Sequence, residues 1–222
     1  MTIHVNGINL YYEKVGQGPP LVLLHCNSMT HAIFHTAMRQ FAAHYTVYAL
    51  DSRDHGKSQR VRELHYTDMV EDVAGFVKTL DIKAPMLYGF SDGGIIGLVL
   101  AYTHPDLLSR LIVSGASLNP ESTKDSMLRF DRLMYAVTRG RKWKLMLKEP
   151  RITESELSRI TVPALVLAGG RDMIKEGHTR RIAGAIPGAR LQILPGESHM
   201  SYIVYSRKLY RIIRPFLEEQ VY

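Results

Sequence analysis

The chain has 222 residues, of which 45% are hydrophobic and 22% are charged, and this composition excludes an intrinsically disordered protein. Its single cysteine, Cys26, excludes an intramolecular disulfide framework. The formal net charge of +7 is concentrated between Glu121 and Arg151, where nine basic residues stand against four acidic ones without a nucleic-acid-binding motif, so we expect no nucleic-acid partner.

Neither a secretion signal nor a membrane span is predicted. The start, Met1 to Asn6, lacks the basic and then apolar order of a signal peptide, so we expect a cytoplasmic protein. The longest strongly apolar stretch, Ile95 to Tyr102, is about half of the roughly 20 residues that a spanning helix needs. We therefore expect no membrane association.

A predicted hairpin opens the chain. Asn6-Gly7 is a strong signal for a tight turn between two strands, here Ile3 to Val5 and Ile8 to Val15. Six short apolar runs bounded by turn residues follow, and such runs are typical of strands buried on both faces. They are Leu21–Leu24, Val47–Leu50, Met86–Phe90, Leu111–Val113, Ala164–Ala168 and Leu191–Leu194.

Helical patterns separate these runs. Thr67 is predicted to cap a helix whose apolar stripe extends from Val70 to Leu80, and Gly93 to Ala101 is apolar on nearly all sides, as a buried helix should be. A further stripe from Leu209 to Leu217 predicts a closing helix. The alternation of buried strands and helices predicts an α/β fold, with a mostly parallel twisted sheet and helices on both faces.

One stretch, from about residue 118 to residue 158, has helix-like patterns and no convincing strand. We interpret this helical segment as an insertion into a single domain that spans residues 1–222. Its basic residues are typical of a solvated helical surface. They also suggest a second hypothesis, that the substrate carries an anionic group.

The nucleophile candidate is Ser91, in the sequence Gly89-Phe90-Ser91-Asp92-Gly93. It lies between a predicted buried strand and a predicted buried helix. A serine on a tight strand-to-helix turn needs small neighbours, because the backbone must approach closely on both sides. Gly89 and Gly93 meet that requirement, so the sequence predicts an exposed, reactive hydroxyl at this strand end.

Two further candidates follow later strands. Asp172 comes after the run Ala164–Ala168, and His199 comes after Leu191–Leu194. A serine hydroxyl needs an imidazole to accept its proton, and the imidazole needs a carboxylate to fix its tautomer. The order Ser, Asp, His therefore predicts a catalytic triad, and no acid follows Val113, the main alternative position.

These segments resemble the α/β-hydrolase superfamily over nearly the whole chain. Leu23 to Asn27 is similar to the family's His-Gly-x turn, and Asp51 to Ser58 is similar to its Asp-x-Arg-Gly-His-Gly-x-Ser loop. The resemblance implies an oxyanion hole made by two backbone N–H groups, those of Asn27 and Asp92. It also identifies the helical segment with the family's lid, here short at about 40 residues, which implies an open or small pocket.

Two residues depart from the family pattern. Cys26 replaces the usual glycine of the first turn, and Asp54 replaces a glycine of the second. A side chain at position 26 can reshape the turn that carries Asn27. Cys26 itself is interpreted as a small buried residue, while His25 and His55 are expected to support their turns.

We expect no metal and no cofactor. His31 and His35 have a spacing compatible with metal binding, but no Glu-bearing zinc motif surrounds them. No phosphate loop or dinucleotide fingerprint occurs. The expected partner is a small-molecule substrate, and the sequence leaves the oligomeric state open.

The predicted function is a serine hydrolase that cleaves a small ester, thioester, lactone or related carbonyl compound through an acyl-enzyme on Ser91. Two alternatives stay open. One is a carbon–carbon bond hydrolase or perhydrolase with the same triad, and the other is a non-catalytic ligand-binding protein of the same fold. Serine rather than aspartate at position 91 argues against haloalkane dehalogenase and epoxide hydrolase chemistry.

Overall fold

A sheet of eight strands runs through the computed structural model, which describes residues 1–219. The strands are β1 (Thr2–Val5), β2 (Ile8–Val15), β3 (Pro20–Leu24), β4 (Thr46–Leu50), β5 (Met86–Phe90), β6 (Arg110–Ser114), β7 (Ala164–Arg171) and β8 (Arg190–Ser198). Their order is β1-β2-β4-β3-β5-β6-β7-β8; β1 and β2 pair antiparallel with their neighbours, and all other pairs are parallel. All eight predicted strands are present, so the predicted α/β architecture is confirmed.

The central strands are apolar because both of their faces are covered. Along β3, Leu21 and Leu23 enter one hydrophobic cluster, while Val22 and Leu24 enter another on the opposite face. Successive side chains of a strand point to opposite faces, so a continuous apolar run fills two cores at once. The carboxyl ends of these parallel strands are then held at one edge of the sheet.

Eight helices accompany the sheet among the described residues. They are α1 (His35–Phe41), α2 (Tyr66–Thr79), α3 (Asp92–Thr103), α4 (Asp125–Thr138), α5 (Arg141–Lys148), α6 (Glu154–Leu157), α7 (Glu176–Ala185) and α8 (Lys208–Leu217). Helices α1 and α8 contribute to the cluster that contains Leu21, whereas α2, α3 and α7 contribute to the cluster that contains Val22. Helices α1 and α7 were not predicted.

The predicted cap of α2 is wrong. The helix begins at Tyr66, with His65 at the N-cap position and no side-chain cap from its own segment, so Thr67 lies inside the first turn. The Glu149 carboxylate takes the capping role instead, since Oε2 accepts the Tyr66 N–H at 3.1 Å and Oε1 lies 2.6 Å from His65 Nδ1. A carboxylate is favourable at a helix N-terminus.

The helical segment contains α4, α5, α6 and a short 3₁₀ turn at Pro120–Ser122. It is loosely covered, because Asp131 is the buried residue of α4 and Leu145 that of α5. The Thr153 hydroxyl and the Glu156 carboxylate form a capping box at the start of α6. Within residues 1–219, no helix is both long enough and apolar enough to cross a membrane.

Candidate active site

Ser91 lies on the turn between β5 and α3 with φ 54° and ψ −111°. Positive φ is uncommon for a residue with a side chain, and such strain is concentrated at functional turns. The conformation is held by backbone hydrogen bonds: Ser91 N–H donates to the Ser114 carbonyl at 2.8 Å, and Ile95 N–H donates to the Ser91 carbonyl at 2.9 Å. The serine side chain is therefore presented from a fixed, strained backbone.

Only glycine fits at positions 89 and 93 of the Ser91 turn, because a side chain at either position would clash with the backbone. A Cβ at position 89 would lie 2.1 Å from the Gly93 carbonyl oxygen, and one at position 93 would lie 2.3 Å from the Leu24 carbonyl oxygen. Both distances are far inside van der Waals contact with backbone atoms that cannot move aside. The expected steric role of Gly89 and Gly93 is confirmed.

The structure brings His199 and Asp172 together at the ends of β8 and β7. His199 Nδ1 lies 2.7 Å from Asp172 Oδ1, and both side chains are buried. Because a carboxylate can only accept, the ring proton lies on Nδ1 and Nε2 carries the lone pair. Asp172 Oδ1 also accepts the Ile174 N–H at 2.9 Å, which fixes the carboxylate. The pair thus has the geometry of an oriented general base.

Gly115 makes room for this histidine, and the sequence reasoning did not identify it. A Cβ there would lie 2.7 Å from His199 Cε1 and 2.8 Å from Nδ1, and the residue has φ +60°. Gly115 follows β6, the position that carries no acid in this chain. Its only signal in the sequence is a glycine at a strand end on the functional edge of the sheet.

A cavity of about 200 Å³ opens in front of Ser91 and His199. Asn27 and Asp92 also line it, whereas Asp172 lies behind His199 and does not. Thus four of the five predicted site residues share one cavity, and the fifth contacts it through the histidine. The helical segment contributes the opposite wall, with Pro120, Thr123, Met127, Phe130, Asp131, Trp143, Met146 and Glu149.

A side-chain hydrogen bond joins the two predicted oxyanion donors. Asn27 Nδ2 donates to Asp92 Oδ2 at 2.9 Å, and the Gly93 N–H donates to the His25 carbonyl at 3.1 Å. Burial raises the pKa of Asp92 to about 6, although hydrogen bonds from Tyr66 and Asn27 act in the opposite direction. These contacts connect residues 25–28 to residues 89–93, and we call the two stretches the reaction turns.

His25 and His55 hold the first reaction turn from behind. The His25 ring donates from Nδ1 to the Cys26 carbonyl at 2.7 Å and accepts the Ser52 N–H at Nε2, at 3.0 Å. His55 Nε2 accepts the Ser28 N–H at 3.1 Å. Burial lowers the pKa of His25 to about 4 and that of His55 to about 3, so both rings stay neutral. Their supporting role agrees with the sequence expectation.

The two departures from the family pattern have different consequences. Cys26 is buried, and burial raises the pKa of its thiol to about 12, so the thiol stays protonated at neutral pH. Asp54 has φ 63°, which explains why glycine suits that position. Its buried carboxylate accepts a hydrogen bond from Arg141 Nη2 at 2.9 Å and so ties α5 to the second turn.

The basic residues of the helical segment do not line this cavity. In the part of the chain that the structure describes, its charged lining consists of acids and the titratable His199, the acids being Asp92, Asp131 and Glu149. Arg139, Arg141 and Lys142 instead line a neighbouring opening, which also contains Ser28 and Trp143. Burial lowers the pKa of Lys142.

Comparison with known proteins shows that the chain is similar to proteins of one family. A family model described as the alpha/beta hydrolase fold matches residues 19–141, more than half of the chain. Human serine hydrolase BPHL is 25% identical in an alignment of 248 positions, gaps included, that covers 97% of this chain and 85% of that protein.

Solved structures agree on the architecture. The enol-lactonase from Burkholderia xenovorans superimposes with a TM-score of 0.83 at 23% identity, covering 99% of this chain and 100% of that one. The meta-cleavage product hydrolase from Pseudomonas fluorescens superimposes with a TM-score of 0.79 at 18% identity, covering 98% and 97%. At these identities the likeness concerns the fold alone.

Proposed function

Because the chain belongs to the α/β-hydrolase family, we propose that it is a serine hydrolase with Ser91 as nucleophile, His199 as general base and Asp172 as the residue that orients the base. The observation that carries this proposal is the convergence of a strained serine turn and an oriented His–Asp pair at one cavity. The proposed substrates are small esters, thioesters, lactones or related carbonyl compounds.

In the proposed first step, His199 Nε2 takes the proton of the Ser91 hydroxyl as the oxygen attacks the substrate carbonyl carbon. Asp172 stabilises the imidazolium that forms, because its carboxylate lies 2.7 Å from His199 Nδ1. The carbonyl π electrons move to the carbonyl oxygen, which becomes the oxyanion of a tetrahedral intermediate. The imidazolium then protonates the leaving group, and an acyl-enzyme on Ser91 remains.

The oxyanion would be stabilised by the backbone N–H groups of Asn27 and Asp92. Loss of one such donor typically costs about 3 kcal/mol of transition-state stabilisation. The side-chain bond between Asn27 and Asp92 supports this role, since it holds the two donors at a fixed separation. Preorganised donors do not have to reorient during the reaction, which is the source of their effect.

In the second half of the reaction, His199 removes a proton from water, which attacks the acyl carbon and releases the acid. His199 returns the proton to Ser91, so the enzyme is regenerated without a cofactor. Within a cavity of about 200 Å³, lined by Met127, Phe130 and Trp143, short apolar acyl or aryl groups fit best.

We also propose that a longer substrate carries an anionic group at its end remote from Ser91. The acidic lining of the cavity does not favour such a group beside Ser91, whereas Arg139 and Lys142 at the neighbouring opening can receive one at the far end of a longer substrate. Turnover of neutral and acidic esters of equal acyl length tests this point. Equal kcat/KM for the two series contradicts the proposal.

Turnover of short p-nitrophenyl esters tests the function. We expect hydrolysis by the wild type and its loss in Ser91→Ala, while Ser117→Ala, which alters another serine of the same cavity, retains activity. Hydrolysis that survives in Ser91→Ala contradicts the assignment of the nucleophile. A folded wild type that turns over no member of an ester, thioester and lactone panel supports the ligand-binding alternative instead.

A further inference from the structure

A second cluster of ionisable side chains lies away from the cavity, where β2 meets the 3₁₀ turn at His31–Phe34 and the start of α1. His31 Nε2 lies 3.0 Å from Glu13 Oε1, and His35 Nε2 lies 3.3 Å from Glu13 Oε2. One ligand atom from each of the three residues fits within a span of 4.8 Å. None of the three lines the cavity of Ser91.

The donor set matches the preferences of zinc. Two imidazole nitrogens and a carboxylate are common ligands for Zn²⁺, and bonds of about 2.0–2.1 Å in a tetrahedral site place ligand atoms roughly 3.3 Å apart. The two histidine–carboxylate separations, 3.0 Å to Glu13 Oε1 and 3.3 Å to Glu13 Oε2, are close to that value, and each histidine faces its own carboxylate oxygen. The sequence indicated only His31 and His35, by their spacing. Glu13 could not be identified from the sequence, because it lies on a different element, β2.

Asp51 supplies the outer support that a metal-binding histidine usually has. This fully buried carboxylate accepts both the His31 backbone N–H, at 2.8 Å, and the His31 ring at Nδ1, at 2.7 Å. Its other oxygen accepts the Lys57 N–H at 2.9 Å. Without a metal, the His31 Nε2–H donates to Glu13 Oε1 at 3.0 Å. Zn²⁺ would replace this proton, which is released to solvent, while the hydrogen bond from Nδ1–H to Asp51 stays in place. Carboxylate–histidine–metal arrangements have this geometry.

We propose that Glu13, His31 and His35 form a Zn²⁺ site in which Asp51 orients His31 and water supplies the fourth ligand. A cavity of about 440 Å³ beside Glu13 and His35 gives the ion a route from solvent. The bound ion links β2 to α1, so its effect is on stability. This site is independent of the reaction proposed at Ser91.

Calorimetric titration of tag-free, chelator-treated protein with Zn²⁺ tests the site. We expect one Zn²⁺ per chain, a higher melting temperature with the ion, and tetrahedral visible bands when Co²⁺ is substituted. Glu13→Gln and His35→Ala should each weaken binding by about 10-fold or more. Both side chains are partly exposed, so the variants should fold, as checked by circular dichroism.

Two controls separate this site from general histidine binding and from catalysis. His44→Ala removes an exposed histidine just after α1 and should bind Zn²⁺ as the wild type does. Ser91→Ala should also bind normally, because its side chain has no contact with the cluster. The proposal is overturned if the wild type binds no Zn²⁺ at one-to-one stoichiometry, or if Glu13→Gln and His35→Ala bind it unchanged.

Discussion

The reaction turns and the helical segment face each other across one cavity but are built differently. Residues 89–93 are buried except for the partly exposed Ser91, and backbone bonds join them to the neighbouring strands. In α4, by contrast, Phe130 is 46% exposed, Leu133 60% and Val137 73%. In the proposed mechanism, the reacting atoms are therefore held by a close-packed scaffold, while the substrate contacts come from a loosely covered surface. Changes in the first should alter kcat, and changes in the second should alter KM.

The largest effect is expected from Asp172→Asn. An amide carries no charge, so it cannot stabilise the imidazolium that forms on His199 during the attack, and kcat should fall by about 10⁴-fold. Steady-state kinetics with a p-nitrophenyl ester measures the loss. A variant that keeps more than a tenth of wild-type kcat would show that Asp172 does not orient the base.

The next effect tests how tightly the scaffold holds His199. Gly115→Ala places a methyl group 2.7 Å from His199 Cε1, so the ring must move, and a displacement on the order of 1 Å can cost about 100-fold in kcat. Gly188→Ala is the matched control, because Gly188 also has positive φ, +68°, but nothing lies within 4 Å of the added carbon. Equal, wild-type kcat in the two variants would mean that the His199 ring accommodates the methyl group and that Gly115 does not fix its position.

Asn27→Ala isolates the side-chain bond between the reaction turns. The backbone N–H of residue 27 remains, but its position is no longer fixed through Asp92, so kcat should fall by about 10-fold with little change in KM. Ser28→Ala removes the other hydrogen bond of the Asn27 side chain, from Ser28 Oγ at 2.7 Å, and should leave kcat nearly unchanged. If both variants behave as the wild type, the bond has no role in positioning.

Phe130→Ala examines the opposite wall. Phe130 lines the cavity and packs edge-on against Trp143, with ring centroids 5.7 Å apart. Its loss should raise KM about fivefold for an aryl ester while kcat stays close to wild type, because uniform binding is removed. Leu133→Ala, on the same helix but outside the lining, should change neither constant. A fall in kcat without a rise in KM would place Phe130 functionally with the reaction turns.

The last prediction concerns pH and stability rather than turnover. His55 has a folded-state pKa of about 3 against an ordinary value of 6.5, so the unfolded chain binds more protons as pH falls between these values. The stability that depends on neutral His55 is present above pH 6.5 and decreases as the pH falls below it. Urea unfolding between about pH 7 and about pH 4 should give a weaker pH dependence for His55→Gln than for the wild type. Parallel curves would contradict this.

The sequence predicted the strands and the serine turn because those features are local. Apolar runs with turn residues at their ends specify buried strands, and Gly89 and Gly93 mark the close approach at Ser91. Pairings between distant segments could not be predicted in this way. Glu149 replaces Thr67 as the cap of α2 from 83 residues away, and Gly115 matters only because His199 packs against it.

The central claim, that Ser91 is the nucleophile, is tested most directly by covalent labelling. Intact protein treated with a fluorophosphonate probe should gain one adduct, and peptide mass spectrometry should locate it on Ser91. His199→Gln should label far more slowly, since the general base is gone. An active, folded protein that gains no adduct, or gains it on another residue, would contradict the account.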